Sequence, residues 1–510
     1  MIEGMIPLHR EPMPSSDVAW LRMDSEENLM VVTGVFLLAQ PVSLTRLRRV
    51  VEERFLVFDR FRQRIVTNLT GALLEPDPNF DIANHVKAVR RGSIRGKKGL
   101  QRLVGRMASW PLDQSRPLWR MDLVPHYGGG SAVILRIHHC YADGIALIQV
   151  LLSLTDKERE ASSPKSRPGG SARRPRQARG ILESIVAPLE QAAGATFRAA
   201  NDLWEESIHA LRHPSTVLDI AAAGADTVEE ILKTAMTPAD PPSRLHQPLS
   251  GVKRVAWAEP MPLERIKSVS KALGCTVNDV LVSCATGALR DYLLEQGDDA
   301  DSLEFRAEIP VNMRPPGQDF RSLGNQFGLV LLDLPIGIGN PFERLFEVHR
   351  RMEALKQSRQ PLAAYVLLNL MGRLPETLEK LMLQFFTTKA TAVMTNVPGP
   401  AEPLYFAGAE LGQVLFWVPQ AGTVGIGISI LSYRGEVQMG LIADDKLIPD
   451  PDVIVSRFAT EFEALVSRVQ LTPPKRVGAG GRVTRAKSRG PSRKCQSRPN
   501  TRAGSARSPH

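Results

Sequence analysis

The stretch ILRIHHCYADGIAL, Ile134 to Leu147, passes from a strand pattern through a polar turn into a helix pattern, and the rest of the fold reads outward from it. Upstream, PLWRMDLV, the turn cluster PHYGGG and SAVILRIHH form a predicted β-hairpin over residues 117–139. In its first arm Trp119, Met121 and Leu123 alternate with Arg120 and Asp122, which puts Trp119 on the apolar face. Downstream, IALIQVLLSL has the length and composition of a helix. Strand, turn and helix in this order predict an α/β chain.

Further out, LMVVTGVFLL (Leu29–Leu38) is a nearly unbroken, valine-rich apolar run, as expected of a strand buried on both faces. At 510 residues the chain exceeds the roughly 250–300 at which one core stops growing, so several units are expected. The divisions are 1–156, a first mixed α/β domain carrying HHCYADG; 157–250, a linker and helical connector; 251–470, a second mixed domain; and 471–510, a tail. Residues 157–180 combine Pro, Gly, Ser and Arg with almost nothing to bury, which predicts a disordered linker. Residues 181–237 have helical composition, and PADPPSRLHQP makes a proline-rich hinge near 248. Turns are expected at Arg314–Gly317, Asn396–Pro400 and Tyr433–Gly435.

The formal charge of +10 is local. Residues 471–510 hold eleven Lys and Arg and residues 161–180 hold six, both without an acid, which leaves a formal −7 on the other 450 residues. Specific nucleic-acid binding is therefore not expected of the folded part, while a tail of this kind is attracted to anionic lipid headgroups. Cys140, Cys275, Cys284 and Cys495 have no C-x-x-C spacing, which favours a reducing compartment. The first residues lack a signal-peptide pattern and no apolar run approaches ~18–20 residues, so a cytoplasmic, at most peripheral protein is expected.

His138 and His139 point to opposite faces if the strand continues through both, His139 with Val133, Leu135 and Ile137 and His138 with Arg136. A neutral imidazole at the mouth of an apolar face suits a general base for an alcohol or thiol. Asp143 then orients the turn or a ring tautomer, and Gly144 gives freedom for a sharp bend. The plainer readings are a structural His pair and an Asp that caps the helix. Adjacent histidines on a strand diverge, so no metal site is expected. Cys140 reads as a small buried filler. G-x-S-x-G, G-x-x-x-x-G-K-S/T and G-x-G-x-x-G patterns are missing, against serine esterase, nucleotide hydrolysis and hydride transfer.

HHCYADG resembles the H-H-x-x-x-D-G signature of the CoA-dependent acyltransferase superfamily, which includes chloramphenicol acetyltransferase-like enzymes and condensation domains. PLDQSRPLW (Pro111–Trp119), TVNDVLVSCATGALRDYL (Thr276–Leu293) and TNVPGP (Thr395–Pro400), in that order, are similar to the bacterial wax ester synthase/diacylglycerol acyltransferase family. SSDVAWL (Ser15–Leu21), FDIANHV (Phe80–Val86), GNQFG (Gly324–Gly328) and SYRG (Ser432–Gly435) extend the likeness over about 15–465. The sequence departs at RRGSIRGKKG (Arg90–Gly99), where the family usually has a Pro-Gly turn, and the basic linker and tail lie outside the pattern.

The resemblance implies two chloramphenicol acetyltransferase-like α/β domains with a channel between them, and acyl transfer from acyl-CoA to diacylglycerol or a long-chain alcohol. Acyl-CoA is then a substrate, and no further cofactor is implied. His139 becomes the general base with His138 and Asp143 in support, and Asn278 of the Asn278-Asp279 pair the oxyanion donor. The plain reading of that pair is a helix start, since Thr276-x-x-Asp279 resembles a capping box. Trp119, Asn396, Pro398 and Gly399 are channel candidates, with core and turn duty as their plain readings. Leu362–Gly372 and Leu374–Phe386 are unusually apolar, either as core or as a surface that meets membrane or lipid bodies. A condensation-type enzyme with a carrier protein or amine acceptor, and a non-catalytic lipid-surface protein, are the alternatives.

Overall fold

The computed structural model describes residues 10–68, 71–90, 94–159, 225–313 and 324–471. Nearly all of the expected linker, most of the helical connector, the Arg314–Gly317 turn and the basic tail lie outside the described residues. The elements that shape the molecule begin with α1 (Ser15–Arg22), β1 (Val31–Leu38), β2 (Trp119–Pro125), β3 (Ser131–His138) and α2 (Gly144–Ser153). After the connector come α3 (Ala225–Met236), α4 (Val277–Glu295), β4 (Phe305–Asn312), β5 (Phe327–Leu334), α5 (Pro341–Lys356), α6 (Gln360–Met371) and α7 (Glu376–Thr387). The chain continues through β6 (Ala392–Pro398), β7 (Ala409–Trp417), β8 (Ile426–Tyr433), β9 (Glu436–Asp444) and α8 (Asp452–Leu471).

The valine-rich run becomes β1 in the middle of a seven-stranded sheet, between β3 and β7 and antiparallel to both. Its two faces enter two different cores: Phe36 packs with Trp119 and Leu135, while Val35 packs with Ile134, Leu415 and Trp417. That double burial is why the run does not alternate with polar residues. The predicted hairpin is present as β2 and β3 in antiparallel register. β7 comes from the second half of the chain, so residues 251–470 complete the first sheet as well as building their own.

The second sheet runs β9-β8-β6-β4-β5, with β4, β6 and β8 parallel and β4–β5 and β8–β9 antiparallel. One face is covered by helices, with Ile426, Ile428 and Ile430 of β8 packed against Val280, Leu281 and Ala288 of α4. α4 is buried on nearly all sides because α5 and α8 cover what the sheet does not. The other face looks toward the first sheet, and Val255, Trp257 and Ile442 join the core that holds Trp417. The expected turn at Tyr433–Gly435 joins β8 to β9, with positive φ at Arg434 (53°) and Gly435 (76°), the backbone that a tight hairpin requires. The expected turn at Asn396 begins later: Asn396, Val397 and Pro398 are still paired with β8, and the bend follows. Among the described residues no single helix is long and apolar enough to cross a membrane.

Candidate active site

β3 ends at His138, and His139 opens a single 3-10 turn that runs to Tyr141. The strand therefore stops between the two histidines, and His139 does not continue the face of Val133, Leu135 and Ile137. The turn is fixed on both sides of the imidazole. The His139 amide donates to Met30 O at 2.7 Å, and its carbonyl accepts Asn325 Nδ2 at 2.9 Å. Asn325 is held in turn by Asp17 of α1, whose Oδ1 accepts the Asn325 amide at 3.0 Å and Nδ2 at 2.8 Å. Asp17 is fully buried and paired with Arg60, which also donates to Cys140 O at 3.3 Å.

Asp143 is a helix cap and also a clamp between distant segments. Oδ1 accepts the Ala146 amide at 2.9 Å, the N-cap bond of α2. Oδ2 accepts the Gln326 amide at 3.0 Å, 183 residues away, just before β5. Gly144 differs from the sequence reading: its φ is not in the left-handed region, and a Cβ there would meet nothing within 4 Å. The bend is made by Ala142 and Asp143, both in extended conformation. Gly144 instead leaves open space beside the turn.

The His139 ring stacks on Trp20 with centroids 4.4 Å apart and lies 5.6 Å from the Phe327 ring. Burial between these rings is the main force on its basicity and pulls its pKa down to about 4; Asp143 opposes this, His138 adds to it, and the Asn325 carboxamide opposes it. His139 Nδ1 and Asn325 Oδ1 are among the buried atoms here that lack hydrogen-bonded partners, as are Trp20 Nε1 and His138 Nε2. His138 is arranged differently. Its Nδ1 accepts the Cys140 amide at 3.2 Å, and Nε2 lies 3.6 Å from Asp24 Oδ1. Burial weakens its hold on a proton, while Cys140 and Asp24 strengthen it, and the net pull is upward. With Nδ1 accepting that amide, the neutral ring carries its proton on Nε2, the nitrogen that faces Asp24.

The other sequence candidates lie elsewhere. Trp119 is in the first core, 2% exposed, stacked on His85 and donating Nε1 to Phe61 O at 2.8 Å. Asn278 and Asn396 meet each other, Asn396 Nδ2 donating to Asn278 Oδ1 at 3.0 Å, where α4 begins and β6 ends. Thr276 and Asp279 form the expected capping box, and Asp279 Oδ2 also lies 2.8 Å from His349 Nδ1 of α5. Pro398 ends β6; Gly399 donates its amide to Ser432 O at 2.8 Å, and a Cβ at Gly399 would come within 2.3 Å of that oxygen, so only glycine fits. Among the described residues, no hydrogen bond of Trp119, Asn278, Asp279 or Asn396 reaches the His139 turn. No group of three or more His, Cys, Asp or Glu residues placed to hold a metal ion occurs among the described residues.

Trp20, Asn325 and Phe327 meet His139 and Asp17 holds Asn325, and none of the four was singled out by the chemistry of the sequence. They sit in SSDVAWL and GNQFG, two segments that carried the family likeness without a physical role.

Comparison with known proteins agrees with that likeness. The family model described as the wax ester synthase/diacylglycerol acyltransferase catalytic domain matches residues 13–281, and the WS/DGAT C-terminal domain matches 323–466. A Mycobacterium tuberculosis protein named probable diacylglycerol O-acyltransferase is 26% identical over 398 residues, covering 77% of this chain and 80% of that one. Among solved structures, the wax ester synthase/diacylglycerol acyltransferase of Marinobacter aquaeolei VT8 superposes with a TM-score of 0.62 at 21% identity, covering 90% of this chain and all of that one. The trichothecene 15-O-acetyltransferase of Fusarium sporotrichioides shares the fold at a TM-score of 0.56 and 11% identity, covering 89% and 95%. The first match spans the histidine turn, Asp17 and Trp20, the second spans Asn325 and Phe327, and the chain belongs to the wax ester synthase/diacylglycerol acyltransferase family.

Proposed function

We propose that this protein moves a fatty acyl group from acyl-CoA to the hydroxyl of diacylglycerol or a long-chain alcohol, with His139 as general base. The observation that carries the reading is a buried imidazole packed against the touching rings of Trp20 and Phe327 where the two halves of the chain meet, a burial that disfavours its charged form. Asn325 acts on the imidazole as a hydrogen-bonding neighbour, and a proton held on Nδ1 leaves the Nε2 lone pair free. Nε2 then takes the proton of the acceptor hydroxyl as its oxygen attacks the thioester carbon. The tetrahedral intermediate collapses, the carbon–sulfur bond breaks, and the proton passes from Nε2 to the departing CoA thiolate. Asp143 and His138 act as positioning residues, Asp143 through the Gln326 clamp and His138 through the Cys140 amide.

His139→Ala is expected to fold and to lower turnover by roughly 100- to 10,000-fold. Ester formation from palmitoyl-CoA with hexadecanol or diacylglycerol measures this, and near-wild-type turnover by the folded variant would remove His139 from the chemistry. The wild-type pH profile gives a second check. The base works only when neutral, and its pKa is about 4 in the folded protein, so kcat/KM should stay level down to about pH 5 and fall as pH drops through 4. An acid limb centred near 6.5 would mean that water, and not Trp20, surrounds the ring.

Asp143→Ala removes a helix cap and leaves a buried amide without its acceptor. The expected loss is about 2–4 kcal/mol of stability, read by denaturant unfolding. Activity should follow the folded fraction. Abolished turnover with unchanged unfolding would instead put Asp143 in direct contact with substrate.

The same reading places the protein at the inner membrane face or on lipid bodies, where its acceptors reside. Its support is α7, whose inner residues Met382 and Leu383 pack on the first core while Leu378, Leu381 and Phe385 are 44%, 62% and 48% exposed. Met236, 75% exposed, ends α3 close by, since Lys389 Nζ lies 4.3 Å above the Phe385 ring and donates to the carbonyls either side of Met236. An apolar stripe at i, i+3 and i+7 is the pattern of a helix that lies in an interface. Leu381→Asp is expected to weaken sedimentation with diacylglycerol-containing vesicles at least several-fold, with turnover on detergent-dispersed substrate retained. Undiminished vesicle binding would clear α7 of that role.

A further inference from the structure

The face of the second sheet that looks toward the first sheet carries a carboxyl, unpaired among the described residues, that the mechanism above does not use. Ala307, Leu332 and Leu334 point to the helix-covered side. The alternate residues of β4 and β5 therefore point to the inter-sheet side. There Glu308 stands opposite Leu331 of β5 and beside Val393 of β6. Leu331 and Val393 pack with Phe416 of β7 and with Val418. Glu308 has no hydrogen bond or ion pair with a described residue, and desolvation is the sole cause that pushes its carboxyl up to about 7. The residue nonetheless keeps some accessible surface. A partly accessible carboxyl without a partner among the described residues thus stands among apolar side chains on the face between the two sheets.

That face leads to the catalytic turn. Along the same face of β5, Leu331 is followed toward the strand's start by Leu329 and then Phe327, whose ring touches the His139 region. Four residues at ~3.3 Å each give roughly 13 Å between Phe327 and Leu331. Leu329 lies against the first core together with Val32 and Val414 of the first sheet and Met382 and Leu383 of α7. Between the base and Glu308 the wall is hydrocarbon.

We propose that Glu308 determines specificity by limiting the length of the hydrocarbon tail accepted beside His139. The inference rests on the acyl transfer argued above. A tail that ends before Glu308 meets only apolar side chains, whereas a tail that reaches it must strip water from a carboxylate without offering a partner. Long tails thus favour the protonated acid, and preference for them declines as pH rises through its titration. The charged groups on the surrounding elements are already engaged. Arg306, on the same face of β4, is held by Asp240 and by Asp333 of β5. Lys389, ahead of β6, donates to Ala235 O and Thr237 O. Glu410 of β7 pairs with Arg434, and Glu379 of α7 pairs with Arg22. Burial pushes Glu379 up to about 7 as well, so the test turns on variants of Glu308 and not on the wild-type profile alone.

The experiment compares octanoyl-CoA with palmitoyl-CoA, and octanol with hexadecanol, at pH 6 and pH 8 in wild type, Glu308→Gln and Glu308→Leu. Both kcat/KM and equilibrium binding are read, with thermal melting as the check on folding. In whichever series occupies this wall, the long-to-short ratio of wild type should fall about tenfold between the two pH values, the factor that one pKa unit represents. The ratio should be independent of pH in Glu308→Gln and should shift further toward the long chain in Glu308→Leu. A wild-type ratio that ignores pH in both series overturns the proposal, as does a pH dependence that survives in folded Glu308→Gln. Failure of wild type to turn over any of the four substrates would count against acyl transfer, and the binding ratios would still decide the role of Glu308.

Discussion

Asn325 joins two halves of the molecule through one carboxamide. Its Nδ2 donates both to Asp17 at the start of the chain and to the carbonyl of His139, and its own amide is held by the same Asp17. Each of these groups is buried, so each needs a partner, and the partners come from segments about 310 and 190 residues apart. The position of the imidazole is therefore a property of the assembled seam and not of the H-H-x-x-x-D-G turn alone. The Asp143–Gln326 bond closes the same seam from the other end of the turn.

Enclosure gives the imidazole its chemical character. Trp20 and Phe327 exclude water from one side of His139, which disfavours the imidazolium and keeps the ring neutral through the physiological range. His138, one residue earlier, is equally buried but has the Asp24 carboxylate and the Cys140 side chain near it, and these strengthen its hold on a proton. Two adjacent histidines are thereby given opposite tendencies, and the one free of a charged hydrogen-bond partner is suited to accept a proton from substrate. The depressed basicity has a cost: between pH 6.5 and about 4 the unfolded chain binds a proton that the folded one refuses, so this group makes the fold less stable as pH falls across that window.

What the sequence made legible was local. The hairpin, the central apolar strand and the capping functions of Asp143 and Thr276 depend on neighbours a few residues away, and they stand where periodicity and turn chemistry put them. The strand face assigned to His139 failed because the backbone turned one residue early to meet Met30 and Asn325. Asn396 and Pro398 looked like turn residues but belong to β6; Pro398 closes the strand, where a missing N–H costs the ladder little. Asn278 and Asn396 were noticed separately, and their mutual hydrogen bond spans 118 residues, beyond the reach of any pattern. Trp20, Asn325 and Phe327 were illegible for the same reason: nothing near them in sequence marks an aromatic or an amide as the wall of a distant histidine.

The origin of β7 has a consequence for how the chain is made. β1 and β3 can pair as soon as residue 138 is available, but the partner on the other side of β1 is Ala409–Trp417. Ribosomes add about 5–20 residues per second, so the open side of β1 waits on the order of tens of seconds, unpaired and rich in valine. Such an edge is a template for the wrong strand, including one from another nascent copy. In the interval between synthesis of the two strands this edge is open to aggregation, and cover of residues 31–38 would protect it.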